Sequence, residues 1–492
     1  MTTPASDESL GTISHARLKL HDAVAQSVGF MGPVFSIAFL VPLVMGIASA
    51  SGKGAGTAAP LAVLIAAIGV LGVGWIVAEY ARRIHAAGSL YDYVTDGLGL
   101  KVGGASGFLY YSGIIVLGGA ILIMLGGTIH DTLLAEFNHA YLSELGWDIV
   151  LLLIACATVF MGVALSTRAQ LTLALFSITV VSIFFVYVII KVGSDNDVAK
   201  TFNPSNALNG DGWSGIMYGV LYGVLLYTGF ETAANLGEET EHPGRDIPRA
   251  VLYSVVGITV FYLVGSYAQI AGFGFDLKAI GQAAQAPLFA LASPGSVGGY
   301  GSTAVVRLME LVVILDMLAV MIGCATAGSR GLFALGRDGR LPKALGQRSA
   351  KGVPVVAGAT LMVIYAVNIA ITHWWTGLWA SAGPTHYIAM FVVESAYGGL
   401  AIAVIYFLLC VGALRGLADH PKYWAVILSA VVGILVTGGA VFGAIYKVTG
   451  PVKSLPWVAL VIFLIGLVVA FVVPADTASK HQADPDDVPA AT

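Results

Sequence analysis

Charged residues are scarce in this sequence of 492 residues: they make up 11% of the chain, whereas hydrophobic residues make up 57%. A soluble domain needs about 25% charged residues to keep its surface in water. This chain cannot cover a water-exposed surface with so few charges. The composition therefore excludes an ordinary soluble protein and predicts that most of the surface faces lipid.

Several functional motifs are also absent. No basic run suits nucleic acid, and no phosphate-binding Walker loop is present, so the chain does not hydrolyse ATP by itself. The ten His residues show no paired metal-ligand spacing, which predicts no metal site. Cys156, Cys324 and Cys410 all lie in apolar stretches and are interpreted as small buried hydrophobes. We expect neither a cofactor nor enzymatic activity.

The N-terminus also lacks the order of a cleaved secretory signal. Residues Met1 to Asp22 are polar, with no basic segment followed by an apolar one. We therefore expect the first apolar segment to stay in the membrane as an anchor. Residues 1–22 and 476–492 are interpreted as short polar tails, and residues 23–475 as one transmembrane domain.

Long apolar runs fill the rest of the chain. A membrane-spanning helix needs roughly 20 mostly apolar residues, and the apolar runs between charged breaks predict about twelve of them. The sequence thus indicates an all-α polytopic membrane protein. The predicted spans 1 to 12 are 28–50, 60–82, 102–128, 147–166, 170–193, 213–236, 249–274, 304–334, 354–374, 386–412, 423–446 and 456–474.

The positive charges predict an orientation. If the N-terminal tail is cytoplasmic, only seven of the 24 Lys and Arg residues fall on the outer side, and the other 17 on the cytoplasmic side. An excess of Lys and Arg marks cytoplasmic loops. Both tails are therefore expected in the cytoplasm, which agrees with an even number of spans. The seven outer residues are Lys53, Lys191, Lys200, Lys278, Arg307, Lys447 and Lys453.

A weak internal symmetry links two spans. Span 1 contains Gly29-Phe30-Met31-Gly32-Pro33 inside an apolar run, and span 6, five helices later, contains Thr228-Gly229-Phe230-Glu231-Thr232. Interrupted segments at matching places in two halves indicate an inverted-repeat transporter and its binding site. The halves would be residues 28–193 and 213–412, with two further helices over 423–474.

Three longer motifs carry a family resemblance. They are 229–239 (GFETAANLGEE) with 243–250, 329–342 with its segment FALGRDGRLP, and 78–93 with the segments AEYARR and AGSLYDY. Together with the span count, they resemble the amino acid–polyamine–organocation (APC) superfamily of permeases over roughly residues 20–475. The resemblance implies a five-plus-five inverted repeat with broken helices 1 and 6 (LeuT-like), two peripheral helices, and alternating access around a mid-membrane site.

The resemblance also implies the class of function. We expect a secondary transporter that imports amino acids or related amines across the cytoplasmic (inner) membrane, with a proton as the coupling ion. A polyamine or organic cation carrier and an amino acid exchanger remain open alternatives. A channel is disfavoured because no symmetric pore-lining repeat is evident. A membrane sensor is disfavoured because neither tail is long enough for a soluble domain.

The two breaks supply the candidate substrate-binding residues. A helix opened within the membrane leaves N–H and C=O groups without partners, which costs several kcal/mol each unless a polar ligand satisfies them. Its freed N–H groups favour an anion and its freed carbonyls a cation, which together suit a zwitterion. The predicted residues are Met31, Gly32, Pro33 and Val34 in span 1, and Thr228, Gly229 and Phe230 in span 6.

The span 1 motif departs from the family pattern. Amino acid permeases often carry a Gly-Ser-Gly break whose bare backbone receives the substrate carboxylate, whereas this chain has Gly32-Pro33-Val34-Phe35-Ser36. Fewer free N–H groups weaken the prediction of an α-carboxylate and favour an amine. An aromatic ring at Phe230 could shield the site or face an ammonium group.

Acidic residues within the spans are candidates for binding or coupling, because an intramembrane carboxylate is costly and often functional. Asp316 in span 8 could bind an ammonium group or take up the coupling proton. Glu231 matches the family motif and is interpreted as a gating or structural hydrogen-bond acceptor, and Glu394 in span 10 is a weaker candidate. Some proton-coupled relatives carry a lysine at the position where this chain has Ser177, so lysine-based proton coupling is not expected here. Protonation of Asp316, coupling to sodium and substrate exchange stay open as alternatives.

Overall fold

The computed structural model describes residues 18–47, 51–84, 88–161, 167–236, 240–283, 286–294, 299–347, 349 and 353–473. Within these ranges the chain forms helices and no strand, apart from one isolated bridge between Leu18 and Thr240. Most of the predicted tails, 1–22 and 476–492, and the end of predicted span 4, 162–166, lie outside the described residues.

Every predicted span coincides with a helix or a divided helix, which confirms the all-α fold. Nine of the helices in the described residues are long and apolar enough to cross a membrane, and the remaining three spans are 4, 6 and 8. The bounds of spans 1 to 12 are Leu20–Met31 with Pro33–Phe35, Ser36–Leu40 and Val41–Met45; Ala59–Ala81; Leu100–Phe137; Glu144–Met161; Thr167–Val192; Trp213–Leu226 with Phe230–Leu236; Pro243–Gly272; Thr303–Arg337; Val355–Trp374; His386–Gly416; Tyr423–Ile445; and Leu455–Val472.

Short helices join the spans. A nine-residue helix, Leu90–Leu98, connects spans 2 and 3, and two six-residue helices, Leu277–Gln282 and Pro287–Ala292, lie between spans 7 and 8. The remaining connecting helices have three or four residues: Gly56–Ala58, Gly193–Asp195, Val198–Thr201, Pro204–Asn206, Leu208–Gly210, Lys343–Gly346, Ala380–Ala382 and Pro451–Ser454.

The predicted bounds of span 1 differ from the observed ones. Its helix begins at Leu20, eight residues before the predicted start, and span 1 ends at Met45 instead of residue 50. The first turn is stabilised by the Asp22 carboxylate, which accepts a hydrogen bond from the Lys19 N–H at 3.0 Å. Apolar runs do not detect such a polar first turn, because hydropathy reports burial in lipid and not helix capping.

Burial separates a central part of the bundle from a peripheral one. The apolar stretch of span 1 is completely buried in the protein, whereas only 28% and 22% of the corresponding residues are buried in spans 11 and 12. Span 1 packs against spans 5, 6, 7 and 8. A broken helix enclosed by protein is tolerable because its freed backbone groups find protein partners and not lipid. The five-plus-five inverted repeat stays a prediction.

Candidate functional site

Span 1 is interrupted where the sequence predicts it. The first helix ends at Gly32, whose backbone is left-handed (φ 54°, ψ 68°), and the chain resumes as a helix at Pro33. Gly32 adopts this conformation without the steric cost of a side chain, and Pro33 cannot donate to the preceding turn. A five-residue π-helical segment, Ser36–Leu40, follows directly. The second half of span 1 therefore starts, midway along the span, with backbone N–H groups that have no hydrogen-bond partner within the helix.

Asp316 of span 8 binds those N–H groups. Its Oδ2 accepts hydrogen bonds from the backbone N–H of Val34 at 2.9 Å and of Phe35 at 2.8 Å. The residue is 4% exposed, and no Lys, Arg or His of the described residues forms an ion pair with it. A helix N-terminus is a natural anion site because its N–H groups and dipole both favour negative charge. In this structure a side chain of the protein occupies that site.

The break in span 6 has its own acidic residue. The first helix ends at Leu226, Gly229 has a φ of 115°, and a 3-10 segment begins at Phe230. Glu231 is fully buried, and its Oε2 accepts a hydrogen bond from the Gly229 N–H at 3.0 Å. The carboxylate therefore satisfies a backbone donor that the break exposes.

Two tyrosines fix the carboxylate of Glu231. Tyr110 of span 3 donates to Oε1 at 3.1 Å, and Tyr406 of span 10 donates to Oε2 at 2.9 Å. The carboxylate thus joins spans 3, 6 and 10. This geometry favours the structural or gating interpretation of Glu231 over direct contact with a substrate.

Other side chains satisfy carbonyls near the two breaks. The Ser27 hydroxyl donates to the Phe230 carbonyl at 2.7 Å and thereby ties span 1 to span 6. The Tyr262 hydroxyl donates to the Leu226 carbonyl at 2.7 Å. The Gln269 side chain donates to the Ile37 carbonyl, in the π-helical segment of span 1, at 2.8 Å. Sequence reasoning missed these residues. Their only signal is a polar group inside an apolar span, which many residues of the chain share.

A small cavity lies between the breaks, with a volume of about 10 Å³. Ligand pockets typically measure about 300–1,000 Å³, so the space between the breaks in this structure is too small for a substrate. The Thr228 hydroxyl borders the cavity and has no hydrogen-bond partner in the described residues. The lining is otherwise mostly apolar: Phe30, Met31, Phe35, Ser36, Leu40, Leu117, Ile121, Leu225, Thr228 and Val320.

The structure brings together only some of the predicted substrate-binding residues. Met31 and Thr228 border the cavity, and Asp316 contacts the span 1 backbone beside it. The Phe230 ring packs against Tyr406, with ring centroids 5.6 Å apart, and is not part of the cavity lining. The aromatic rings that line the cavity belong to Phe30 and Phe35 instead.

The remaining coupling candidates lie apart from the breaks. Glu394 accepts a hydrogen bond from the Asn368 side chain of span 9 at 3.1 Å, which links spans 9 and 10. Ser177 is fully buried in span 5, and its hydroxyl has no hydrogen-bond partner in the described residues. Neither residue touches Asp316 through a hydrogen bond.

A larger hollow lies elsewhere and is not the candidate site. It has a volume of about 860 Å³ and lies between spans 10, 11 and 12. Its lining is almost entirely apolar, with Lys453 as the charged exception. Such a surface on the peripheral spans is what contact with lipid chains requires. It therefore offers little to bind a polar substrate.

Comparison with known proteins places the chain in a family. The model of the amino acid permease family matches residues 27–474. The chain belongs to the amino acid permease family. This family member is therefore a multi-pass membrane protein related to transporters, and its resemblance to the APC superfamily is confirmed.

Curated relatives are about one quarter identical to this chain over the aligned residues. The branched-chain amino acid permease BcaP of Lactococcus lactis is 25% identical over 64% of this chain and 68% of the relative. The lysine-specific permease LysP of Lactococcus lactis is 27% identical over 63% of this chain and 62% of the relative. The methylthioribose transporter of Bacillus subtilis is 25% identical over 59% of this chain and 62% of the relative. The chain thus spans about two thirds of the relatives' lengths.

Solved structures share the fold. A manganese transporter of Eremococcus coleocola in mutant form superimposes with a TM-score of 0.56 over 92% of this chain and 93% of its own. The sequence identity is 12%. A likeness at that identity supports the transporter fold alone, and the metal cargo of that protein is not carried over.

Proposed function

We propose that this protein is a secondary active transporter that imports amino acids or related amines by alternating access, with the substrate held between the opened spans 1 and 6. The observation that carries the proposal is the Asp316 carboxylate on the Val34 and Phe35 N–H groups, beside a small cavity. Transporter helices that open in mid-membrane usually do so to bind a polar substrate or ion. We also propose that both termini are cytoplasmic, as the distribution of Lys and Arg predicts.

The lining of the cavity supports a substrate with an apolar side chain. Aromatic and aliphatic residues, among them Phe30, Leu117 and Val320, surround it, and the free Thr228 hydroxyl offers one hydrogen bond. The branched-chain permease among the relatives fits this chemistry. The methylthioribose transporter shows that related proteins also include carriers of other compounds, so family membership does not by itself select an amino acid.

The position of Asp316 suggests how a proton is coupled. A substrate carboxylate and the Asp316 carboxylate would compete for the same N–H groups of Val34 and Phe35. Two ionised carboxylates at one site repel each other strongly in a medium of low dielectric constant. The substrate carboxylate can replace Asp316 once Asp316 has taken up a proton and become neutral. Each substrate then enters with one proton.

A second candidate function is transport of an amine that has no carboxylate. Asp316 occupies the N–H groups freed in span 1, and Glu231 occupies the Gly229 N–H freed in span 6. If both acids stay ionised in place, the breaks offer no anion site, and a substrate ammonium group would pair with Asp316. Buried charges need such a partner because their desolvation is costly.

Uptake into proteoliposomes tests the proposal and separates the two candidates. A matched pair of probes is leucine and 3-methylbutylamine, which is leucine without its carboxylate. We expect leucine uptake that is driven by an imposed proton gradient and is indifferent to a sodium gradient. Uptake of the amine alone would establish the second candidate. Leucine uptake that requires internal amino acid would indicate an exchanger, and no uptake of either probe would overturn the proposal of a substrate with an apolar side chain.

A further inference from the structure

Histidines and carboxylates gather at one end of the bundle, far along the chain from one another. His130 and Asp131 lie near the end of span 3, and Glu144 and Asp148 lie in the first turns of span 4. His373 lies at the end of span 9, and His386 begins span 10. The predicted orientation puts this end on the outside of the membrane. None of these residues belongs to the site between spans 1 and 6.

Two His–carboxylate pairs form the centre of the cluster. His386 Nε2 lies 2.9 Å from Glu144 Oε2, and His373 Nε2 lies 2.7 Å from Asp148 Oδ2. The two imidazole rings are neighbours, with centroids 5.2 Å apart. One ligand atom each from Glu144, His373 and His386 lies within 4.8 Å of the other two. Three helices therefore bring potential metal ligands to one point.

The polar atoms of this centre lack ordinary partners. Glu144 Oε2 and His386 Nε2 are shielded from solvent and make no hydrogen bond, although they are only 2.9 Å apart. Asp148 is 1% exposed, and its Oδ1 also has no hydrogen-bond partner in the described residues. No Lys or Arg among the described residues forms an ion pair with Glu144 or Asp148. Buried polar groups without partners are costly, and a bound cation would satisfy the unpartnered atoms of this centre.

We propose that Glu144, His373 and His386 bind a transition-metal dication of the zinc type. Imidazole nitrogens and carboxylate oxygens are ordinary Zn²⁺ ligands at about 2.0–2.2 Å, and ligands around one tetrahedral ion are then separated by roughly 3.3 Å. The His386–Glu144 distance of 2.9 Å is close to that separation. The fourth position of such a tetrahedral ion is left for water.

Asp148 acts as a positioning residue in this site. A carboxylate that contacts the ring of a ligating histidine orients the imidazole and increases its basicity, and Asp148 Oδ2 stands 2.7 Å from the His373 ring. Glu144 and Asp148 are four residues apart in one helix, so they project from the same face. A bound ion would link the ends of spans 4, 9 and 10 and stabilise the folded protein.

Metal titration of the purified full-length protein tests this inference. The protein carries a tag without histidines, is stripped with EDTA, and is titrated with Zn²⁺ by calorimetry while its melting temperature is followed. We expect one ion per chain and a rise in melting temperature. His373→Ala and His386→Ala should each abolish both effects, and Asp148→Asn should weaken binding by about 10–100-fold. His139→Ala is the control, because His139 is exposed and lies outside the ligand group.

Three results would overturn the metal site. They are the absence of stoichiometric Zn²⁺ binding, binding that survives both histidine substitutions, and stabilisation by acid alone without any metal uptake, which would indicate that protons neutralise the cluster. If a histidine-to-alanine variant does not fold, His386→Gln keeps the bulk and polarity of the side chain and serves in its place. This test reads binding and stability, so it is independent of the transported substrate.

Discussion

The two breaks solve the same physical problem with different partners. In span 1 the freed N–H groups of Val34 and Phe35 are bound by Asp316, which belongs to another helix and lies about 280 residues away. In span 6 the freed Gly229 N–H is bound by Glu231, two residues along the same segment and held by two tyrosine hydroxyls. The first acid can leave its place when the helices move apart, whereas the second is part of the segment that it caps.

This difference supports the separate roles that we propose for the two acids. Asp316 has two backbone donors and no side-chain partner among the hydrogen bonds of the described residues, which fits the proposal that it exchanges them for a proton or a substrate. Glu231 has three donors from three spans and supports the architecture of the break. Three substitutions at the breaks test this contrast between an exchangeable cap and a fixed one, and a fourth at an exposed ion pair gives the scale of a small effect.

Asp316→Asn should have the largest effect on transport. The amide is close in size, but it carries no charge and cannot take up a proton, so we expect proton-driven uptake to fall to background and any residual uptake to lose its pH dependence. The measurement is uptake into proteoliposomes from pH 5.5 to 8. Asp338→Asn, at the end of span 8 beside Arg337, is the control. Unchanged uptake with an unchanged pH profile would remove Asp316 from the mechanism.

Gly32→Ala should have the second-largest effect on transport. A Cβ at Gly32 would lie 2.2 Å from Val320 Cγ2, and the φ of 54° is unfavourable for alanine. Crowding of this kind costs about 1–3 kcal/mol, and we expect uptake to be lost as the break is displaced. Gly257→Ala is the matched control, because a Cβ there meets no atom within 4 Å. Uptake and melting temperature that match the control would show that the break tolerates a side chain.

Tyr406→Phe should lower stability more than it alters selectivity. The substitution removes a donor at 2.9 Å from the buried Glu231 carboxylate, and an unsatisfied buried group costs about 1–3 kcal/mol. We expect a lower melting temperature with the same preference between leucine and 3-methylbutylamine. Tyr253→Phe, on an exposed side chain of span 7, is the control. A changed substrate preference with normal stability would mean that Glu231 contacts the substrate.

Arg83→Ala should have the smallest effect. Arg83 binds Asp419 at 2.6 Å in an exposed loop, and this contact holds the pKa of Asp419 below its ordinary value. A carboxylate with a lowered pKa contributes stability above its unfolded pKa of about 3.9, and the contribution is lost as the pH falls through the folded value. Between pH 6 and 8 we therefore expect a constant loss of no more than about 1 kcal/mol, measured by thermal unfolding. A loss that changes across this range would assign the pair another role.

The break in span 1 and the acid beside it were predictable from particular residues, whereas their part in substrate binding stays a prediction. Gly32 and Pro33 inside an apolar run predicted the break in span 1, and an unneutralised acid inside span 8 singled out Asp316. The partners of these residues were not predictable. Val34 and Phe35 contact Asp316 through backbone atoms, which leave no mark in side-chain chemistry, and the distance along the chain is about 280 residues.

The proposed metal site at Glu144, His373 and His386 shows the same limit of prediction from sequence. The spacing of histidines along the chain predicts no metal site, since His373 and His386 are separated by a loop and their neighbour Glu144 precedes them by more than 200 residues. Only the packing of spans 4, 9 and 10 brings the three side chains within 4.8 Å. Spacing motifs detect ligands that share one helix or loop, and they miss ligands that tertiary packing assembles.

The sequence by itself determined that this protein lies in a membrane and that its spans are helices. Scarce charge and long apolar runs require helices in lipid, because a lipid-exposed segment must satisfy its backbone hydrogen bonds without water. Gly32 and Gly229 determined where two of those helices open. Only the tertiary structure decided which side chains bind the freed groups, because a hydrogen bond between distant helices depends on their positions in space and not on their order in the chain.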